Sequence, residues 1–164
     1  MMKNDSLIKI NSYLSFKLGD DEFAAHVGKV LNILELVKIT PVPKSPEYMK
    51  GVINLRGAVL PIIDTRMKFG MSPTQFTQNT CIVVMEILME KDTIQLGALV
   101  DSVLSVVEIE DDQIQPPPSL GSKYKSEFIL GVAKVEEKFI MILDMDKVFS
   151  SDELILVMDS TEDL

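Results

Sequence analysis

The sequence predicts an all-β fold, a barrel or sandwich that carries only brief helices. About nine apolar runs, each the length of a strand, are separated by regular turn signals. Several alternate or are rich in β-branched residues, such as Tyr13–Leu18 (YLSFKL) and Cys81–Met85 (CIVVM). Helical spacing is confined to short stretches that follow a capping residue. Strands apolar on both faces imply two lobes packed against one another.

The elements follow in order. Tyr13–Leu18 reads as a half-buried strand, Gly19-Asp20-Asp21 as a turn, and Glu22–Val27 as the hairpin partner. Gly28 breaks the pattern, and Val30, Ile33, Leu34 and Val37 recur at helical spacing, which allows a short helical or mixed segment. Thr40-Pro41-Val42-Pro43 must be extended. Ser45-Pro46 reads as the start of a brief helix, with Ser45 as N-cap. Val52–Leu55 and Ala58–Asp64 make a hairpin about Arg56-Gly57, after which Asp64 or Thr65 caps a short helix through Phe69. Met71–Asn79 is polar, contains Pro73 and reads as a loop.

Thr80–Glu90 and Thr93–Asp101 form a long apolar hairpin about Lys91-Asp92. Val103–Ile109 is a further strand before the acidic Glu110-Asp111-Asp112, and Gln115–Pro118 reads as a polyproline-like crossing. Ser119–Ser126 reads as a mobile loop. Phe128–Val135 and Lys138–Leu143 form a last hairpin around Glu136-Glu137. Asp144 or Asp146 then caps a short helix through Phe149, and Ser151, Leu154, Ile155 and Val157 suggest a C-terminal helix. No repeat of short fixed period is present, but a hairpin followed by a capped helix occurs at both 52–69 and 128–149.

The 164 residues suffice for one domain, or two small lobes, with a sizeable apolar interior. A formal net charge of -9 repels phosphate backbones and anionic headgroups, which argues against nucleic acid and membrane surfaces as partners. No apolar run approaches the roughly 18 to 20 residues that cross a bilayer. The first residues carry Asp5 and lack the apolar core of a secretion signal. A single cysteine, Cys81, excludes an intramolecular disulfide and suits a reducing cytoplasm. Ten methionines read chiefly as fillers of irregular core gaps.

Catalytic and metal chemistry find little support. Gly97–Ser102 ends an apolar strand in Asp101-Ser102, and Pro61–Thr65 ends one in Asp64-Thr65, as the two carboxylate arms of an aspartic protease do. That chemistry needs a glycine next, where Val103 and Arg66 stand, and a cation at Arg66 pairs with Asp64 and holds it ionised. His26 is the only histidine, Asp144-Met145-Asp146 lacks the rest of a calcium loop, and Cys81 lies in a β-branched run as an inert thiol. Gly51 and Gly57 precede no long helix, so a phosphate loop is not formed. Neither a catalytic nor a cofactor or metal site is expected.

The remaining signal is Arg56. It sits on a tight turn between apolar arms, with Asn54 beside it to brace the loop. An arginine amid apolar surface has the composition of a protein-interface hot spot. An exposed turn cation without a role is the alternative.

The stretch Gly51-Val52-Ile53-Asn54-Leu55-Arg56-Gly57, continuing through Pro61, Asp64 and Arg66, resembles the CheW family of chemotaxis coupling proteins. Phe16-Lys17-Leu18-Gly19, Val100-Asp101-Ser102-Val103, Ile114–Pro116 and Phe139–Asp144 stand in the order that family shows, and the likeness runs from Tyr13 to Leu156. The resemblance implies two small intertwined five-stranded SH3-like β-barrels forming one CheW-like domain over 13–156, with tails at 1–12 and 157–164. It also implies a non-enzymatic cytoplasmic adaptor without cofactor, recruited to membrane-associated arrays. Its partners would be chemoreceptor cytoplasmic tips, held in a groove between the lobes, and a CheA-type histidine kinase, whose CheW-like regulatory domain meets the barrel ends. A non-flagellar chemosensory pathway, serving gliding or pili, is the alternative setting. Motif matching puts Val30, Asn54, Arg56, Gly57, Val100, Asp101 and Val103 on the receptor-facing side. Asn32 stands where many relatives carry an acidic residue. The likeness fills the chain, which favours a standalone coupling protein over one fused to a receiver or kinase domain.

Overall fold

A computed structural model describes residues 11–89, 92–117 and 126–149. A first hairpin, β1 (Ser12–Leu18) and β2 (Asp21–His26), leads through a 3-10 turn at Val27–Lys29 into β3 (Val30–Glu35). The next unit is β4 (Met49–Leu55), β5 (Ala58–Asp64) and the one-turn helix α1 (Thr65–Lys68). Then come β6 (Cys81–Met89), β7 (Asp92–Val100), β8 (Ser102–Glu108), a 3-10 turn at Asp111–Gln113 and the two-residue β9 (Ile114–Gln115). A last unit of β10 (Ile129–Val135), β11 (Lys138–Leu143) and α2 (Met145–Val148) repeats the plan of β4, β5 and α1.

Two sheets result. One has the order β8-β1-β2-β11-β10-β9 and the other β3-β6-β7-β5-β4. The lobes are intertwined by a reciprocal exchange. The chain leaves β2 in the first sheet and forms β3 at the edge of the second, beside β6. It later leaves β7 in the second sheet and forms β8 at the edge of the first, beside β1. Each sheet then closes in the same way. Beyond β3, Thr40 exchanges two backbone hydrogen bonds with Val52 of β4, both 2.9 Å. Beyond β8, β9 pairs with Val132 and Ala133 of β10.

Both closures require a glycine. A Cβ at Gly51 would strike the Thr40 carbonyl, and one at Gly131 would lie 2.5 Å from Ile114 Cγ2 and 2.6 Å from the Gln115 carbonyl. Gly51 and Gly131 each stand beside a register shift in their hairpin, where a bulge bends the strand under its crossing segment.

Three apolar clusters form among the described residues. Tyr13, Ala24, Ala133, Ile140 and Ile142 form one within the first lobe, and Ile53, Leu60, Ile62, Ile82, Val84 and Leu99 one within the second. The largest joins residues of both sheets, with Phe16, Phe23, Phe69, Met85, Leu96, Phe128 and Phe149 at its heart. There the Phe23 and Phe69 rings stack at 5.4 Å, and Phe128 meets Phe69 edge-on at 5.7 Å. Strands such as β6 are apolar on both faces because one face lines a lobe and the other the shared core. Met49, Met85 and Met145 are buried, as gap-filling methionines should be.

Two expectations are corrected. Residues 30–35 form a strand, not a helical segment: burial alternates with period two, and exposed Ile33 and Val37 supplied the misleading spacing. Ser45 starts no helix. Its Oγ donates backward to the Val42 carbonyl at 2.8 Å, and a single Pro46–Met49 turn runs directly into β4. Ser126 begins a 3-10 turn through Phe128. The rest of the 119–126 stretch and the C-terminal helix fall outside the described residues, as do residues 1–10 and 157–164 of the two tails.

Candidate functional site

The β4–β5 tip is built by a two-residue turn, with Leu55 opposite Ala58. Among the two-residue turns that match strand twist, type I′ places both central residues at positive φ. Gly57 adopts it freely at 86°, whereas Arg56 at 53° is a long side chain in a conformation that non-glycine residues rarely adopt. Asn54 Oδ1 accepts the Gly57 N–H at 2.9 Å and braces the turn from within. Arg56 itself is exposed and has no hydrogen-bond or ion-pair partner among the described residues. Val59, just beyond the turn, is 55% exposed. The tip therefore presents an uncommitted cation beside apolar surface.

Asp101 lies at the opposite end of this sheet. Six residue steps of β5 separate Ala58 from Asp64, about 20 Å of extended chain. Asp64 is level with Leu99 in the parallel β5–β7 register, and Asp101 follows at the β7–β8 corner. The Asp101 backbone N–H donates to the Lys17 carbonyl at 3.1 Å. Its Oδ2 accepts the Gly19 N–H at 2.6 Å and Arg66 Nη1 at 2.7 Å. Beside it, Asp20, Arg66, Ser72, Gln75, Thr77 and Asp101 line a polar cleft of about 380 Å³.

This corrects the expected Arg66–Asp64 pair. The Arg66 guanidinium reaches Asp101 and, through Nε and Nη2, the Ser72 carbonyl and hydroxyl. Asp64 is fully buried and works as a local brace. It caps α1 by accepting the Arg66 N–H at 3.1 Å, and it holds the following loop by accepting both the N–H and the hydroxyl of Thr74. The cation near it is Lys50, at 3.6 Å.

The seven residues assigned by motif thus divide. Asn54, Arg56 and Gly57 share the tip, and Asp101 occupies the far corner. Val100 has no exposed area and belongs to the shared core, so it supports the corner from beneath. Val30 and Val103 are half-buried against the same core, at matching positions on the two exchanged strands opposite Met85 and Phe16.

Each feature has a counterpart of reversed charge in the other lobe. The β10–β11 tip carries Glu136 and Glu137, both at positive φ. The β2–β3 corner carries Lys29, paired at 2.7 Å with Asp146 of α2, which also accepts the Leu88 N–H. Sequence reasoning missed this pair. A signal was available: Val30-Leu31-Asn32-Ile33-Leu34-Glu35-Leu36 and Val103-Leu104-Ser105-Val106-Val107-Glu108-Ile109 are two versions of one segment.

Other chemistry is already engaged. His26 Nδ1 accepts the Gly28 N–H, and its ring meets Tyr13 edge-on at 5.5 Å. Asp144 caps α2. Among the described residues no group of three potential metal ligands is found, and no helix is long and apolar enough to cross a membrane.

Comparison with known proteins gives a consistent result. The CheW-like domain family matches residues 12–153. The chain is 37% identical over 140 residues to a chemotaxis protein CheW of Rhizobium meliloti, covering 85% of this chain and 88% of that protein. It is 32% identical over 145 residues to a CheW of Klebsiella aerogenes, covering 88% and 85%. The fold is similar to the crystal structure of the scaffolding protein TtCheW from Thermoanaerobacter tengcongensis, with TM-score 0.77 and 30% identity over 89% of this chain and 93% of that one.

Proposed function

The chain belongs to the CheW-like domain family, and from that premise we propose that it is a non-enzymatic adaptor coupling methyl-accepting chemoreceptors to a CheA-type histidine kinase. It works in the cytoplasm, at arrays assembled on the receptors. The β4–β5 tip and the surface reaching the β3 and β8 corners face the receptor, and the kinase meets the barrel ends.

The observation that carries the site is Arg56: exposed, without a partner among the described residues, held at positive φ and flanked by exposed Val59. A strained residue persists where its surroundings dictate it, and such residues gather at binding sites. The turn fixes the backbone from which the guanidinium projects, so only the side-chain rotamers remain to be ordered when a carboxylate or amide of the receptor docks.

A chain of this size offers two or more separate patches, each near the low end of interface sizes at roughly 1,200 Å² of total buried area. Contacts of that size are individually weak, and an array joins them into avidity through effective concentration. Coupling then requires that the adaptor hold the kinase differently in the two receptor states.

The test is pull-down and titration with a receptor cytoplasmic fragment and a CheA-type kinase. Arg56→Glu is expected to leave thermal melting unchanged while weakening receptor binding about tenfold or more. Undiminished receptor binding by a normally melting Arg56→Glu variant refutes the assignment of the tip. Failure of the wild-type chain to bind either partner refutes the adaptor reading.

A further inference from the structure

We infer that Arg66 is a positioning residue: it does not touch the receptor, but fixes the Asp101 carboxylate in the orientation in which the receptor uses it. This rests on the receptor-coupling reading above and adds a residue to it.

Three fixed points surround Asp101. Its backbone N–H is tied to Lys17, and its Oδ2 is shared by the Gly19 N–H at 2.6 Å and Arg66 Nη1 at 2.7 Å. With both donors on one oxygen, Oδ1 is left without a donor among the described residues, on a side chain that remains 24% exposed. A carboxylate held by one oxygen presents the other in a fixed direction, as an acceptor for an amide, hydroxyl or ammonium group of a partner.

Arg66 is itself fixed. Its Nε and Nη2 are committed to Ser72, and its backbone N–H to Asp64. Three of the five guanidinium N–H groups, one on each nitrogen, are thus engaged within the protein, which locks the plane of the fork and makes Arg66 a brace for Asp101. The charge-reversed counterpart differs in this respect. Asp146 engages Lys29 through both oxygens, at 2.8 and 2.7 Å, and also accepts the Leu88 N–H, so neither of its oxygens is without a donor. The same latch serves two ends of the molecule, and only the Asp101 end keeps an oxygen available.

The experiment compares Asp101→Asn, Arg66→Ala, Arg66→Lys and the Arg66→Ala/Asp101→Asn double variant of the full chain, titrated with a chemoreceptor cytoplasmic fragment and melted in parallel. Asp101→Asn and Arg66→Ala are each expected to weaken binding about five- to tenfold. The double variant is expected to bind no more weakly than either single one, because Arg66 acts through Asp101. Arg66→Lys keeps the charge without the fork and is expected to recover part of the loss. Its readout stands even where Arg66→Ala fails to fold. Melting temperature behaves otherwise, since Arg66→Ala also removes the Ser72 bonds and lowers it in both backgrounds.

Multiplying losses in the double variant would show Arg66 touching the receptor itself and overturn the inference. So would Arg66→Ala and Arg66→Lys variants that melt lower yet bind normally, the mark of a purely structural role. Normal binding by Asp101→Asn together with weakened binding by Arg56→Glu overturns this inference and leaves the coupling reading intact. Normal binding by both overturns the receptor surface as a whole.

Discussion

Replacing Arg56 by asparagine should move stability and binding in opposite directions. The wild-type residue occupies φ 53°. A left-handed conformation costs an ordinary L-residue about 1–2 kcal/mol, and asparagine tolerates it far better. No native contact is lost, because the guanidinium has no partner among the described residues and Asn54 alone braces the turn. Arg56→Asn is therefore expected to stabilise the fold by about 0.5–1 kcal/mol. For a chain of this length that is a rise of about 1–4 °C in Tm.

Receptor affinity should fall about tenfold as the cation goes. Scanning calorimetry and titration with a receptor fragment measure the two effects on one preparation. Gly57→Ala is the control for pure backbone strain, since an added Cβ there meets nothing within 4 Å while φ stays at 86°. It should lose about 1 kcal/mol. An Arg56→Asn variant that melts below wild type refutes the reasoning, because it means that the arginine earns its place by stabilising the fold.

Three other perturbations probe the platform beneath the site. Asp64→Asn must turn an amide N–H toward either the Thr74 or the Arg66 backbone N–H, so it should lose about 2–3 kcal/mol, read as a lower urea midpoint. Gly51→Ala should lose about 3 kcal/mol or more, measured in the same way, because its Cβ strikes the Thr40 backbone and no flexible side chain can yield. Tyr13 is raised above its ordinary value by burial and, secondarily, by the Asp111 carboxylate, and Tyr48 is raised by burial. The folded state thus holds both phenol protons more tightly, so stability is full below pH 10.0 and declines as pH rises beyond it. Urea midpoints on either side of that value should show the decline, and it should be shallower in Tyr13→Phe.

The hairpins were legible because their turns are local. Gly19-Asp20, Arg56-Gly57 and Glu136-Glu137 each interrupt apolar runs at the right interval, and the Asp64 and Asp144 caps follow directly. Segment 30–37 was misread because Val30, Ile33, Leu34 and Val37 fit a helical stripe equally well, and only pairing with β6 decides for a strand. The Arg66 partner was misassigned for a similar reason. Asp64 is near in sequence, but its carboxylate is consumed by the cap and by Thr74, while Asp101 arrives through the parallel β5–β7 pairing. Val100 carries a motif position, yet nothing local in its sequence reveals that the shared core encloses it. The tip of the candidate site could be read from residues alone, and its corner only from topology.

The strand exchange between the sheets has a mechanical consequence. Each lobe is completed by a strand whose chain enters from the other, so neither can melt without dismantling its neighbour. Amide hydrogen exchange should accordingly show the slowest protons of β1 and β6 opening with one common free energy. A load applied at either end is then borne by the whole body, as by a strut, and is not dissipated at a soft joint between two halves.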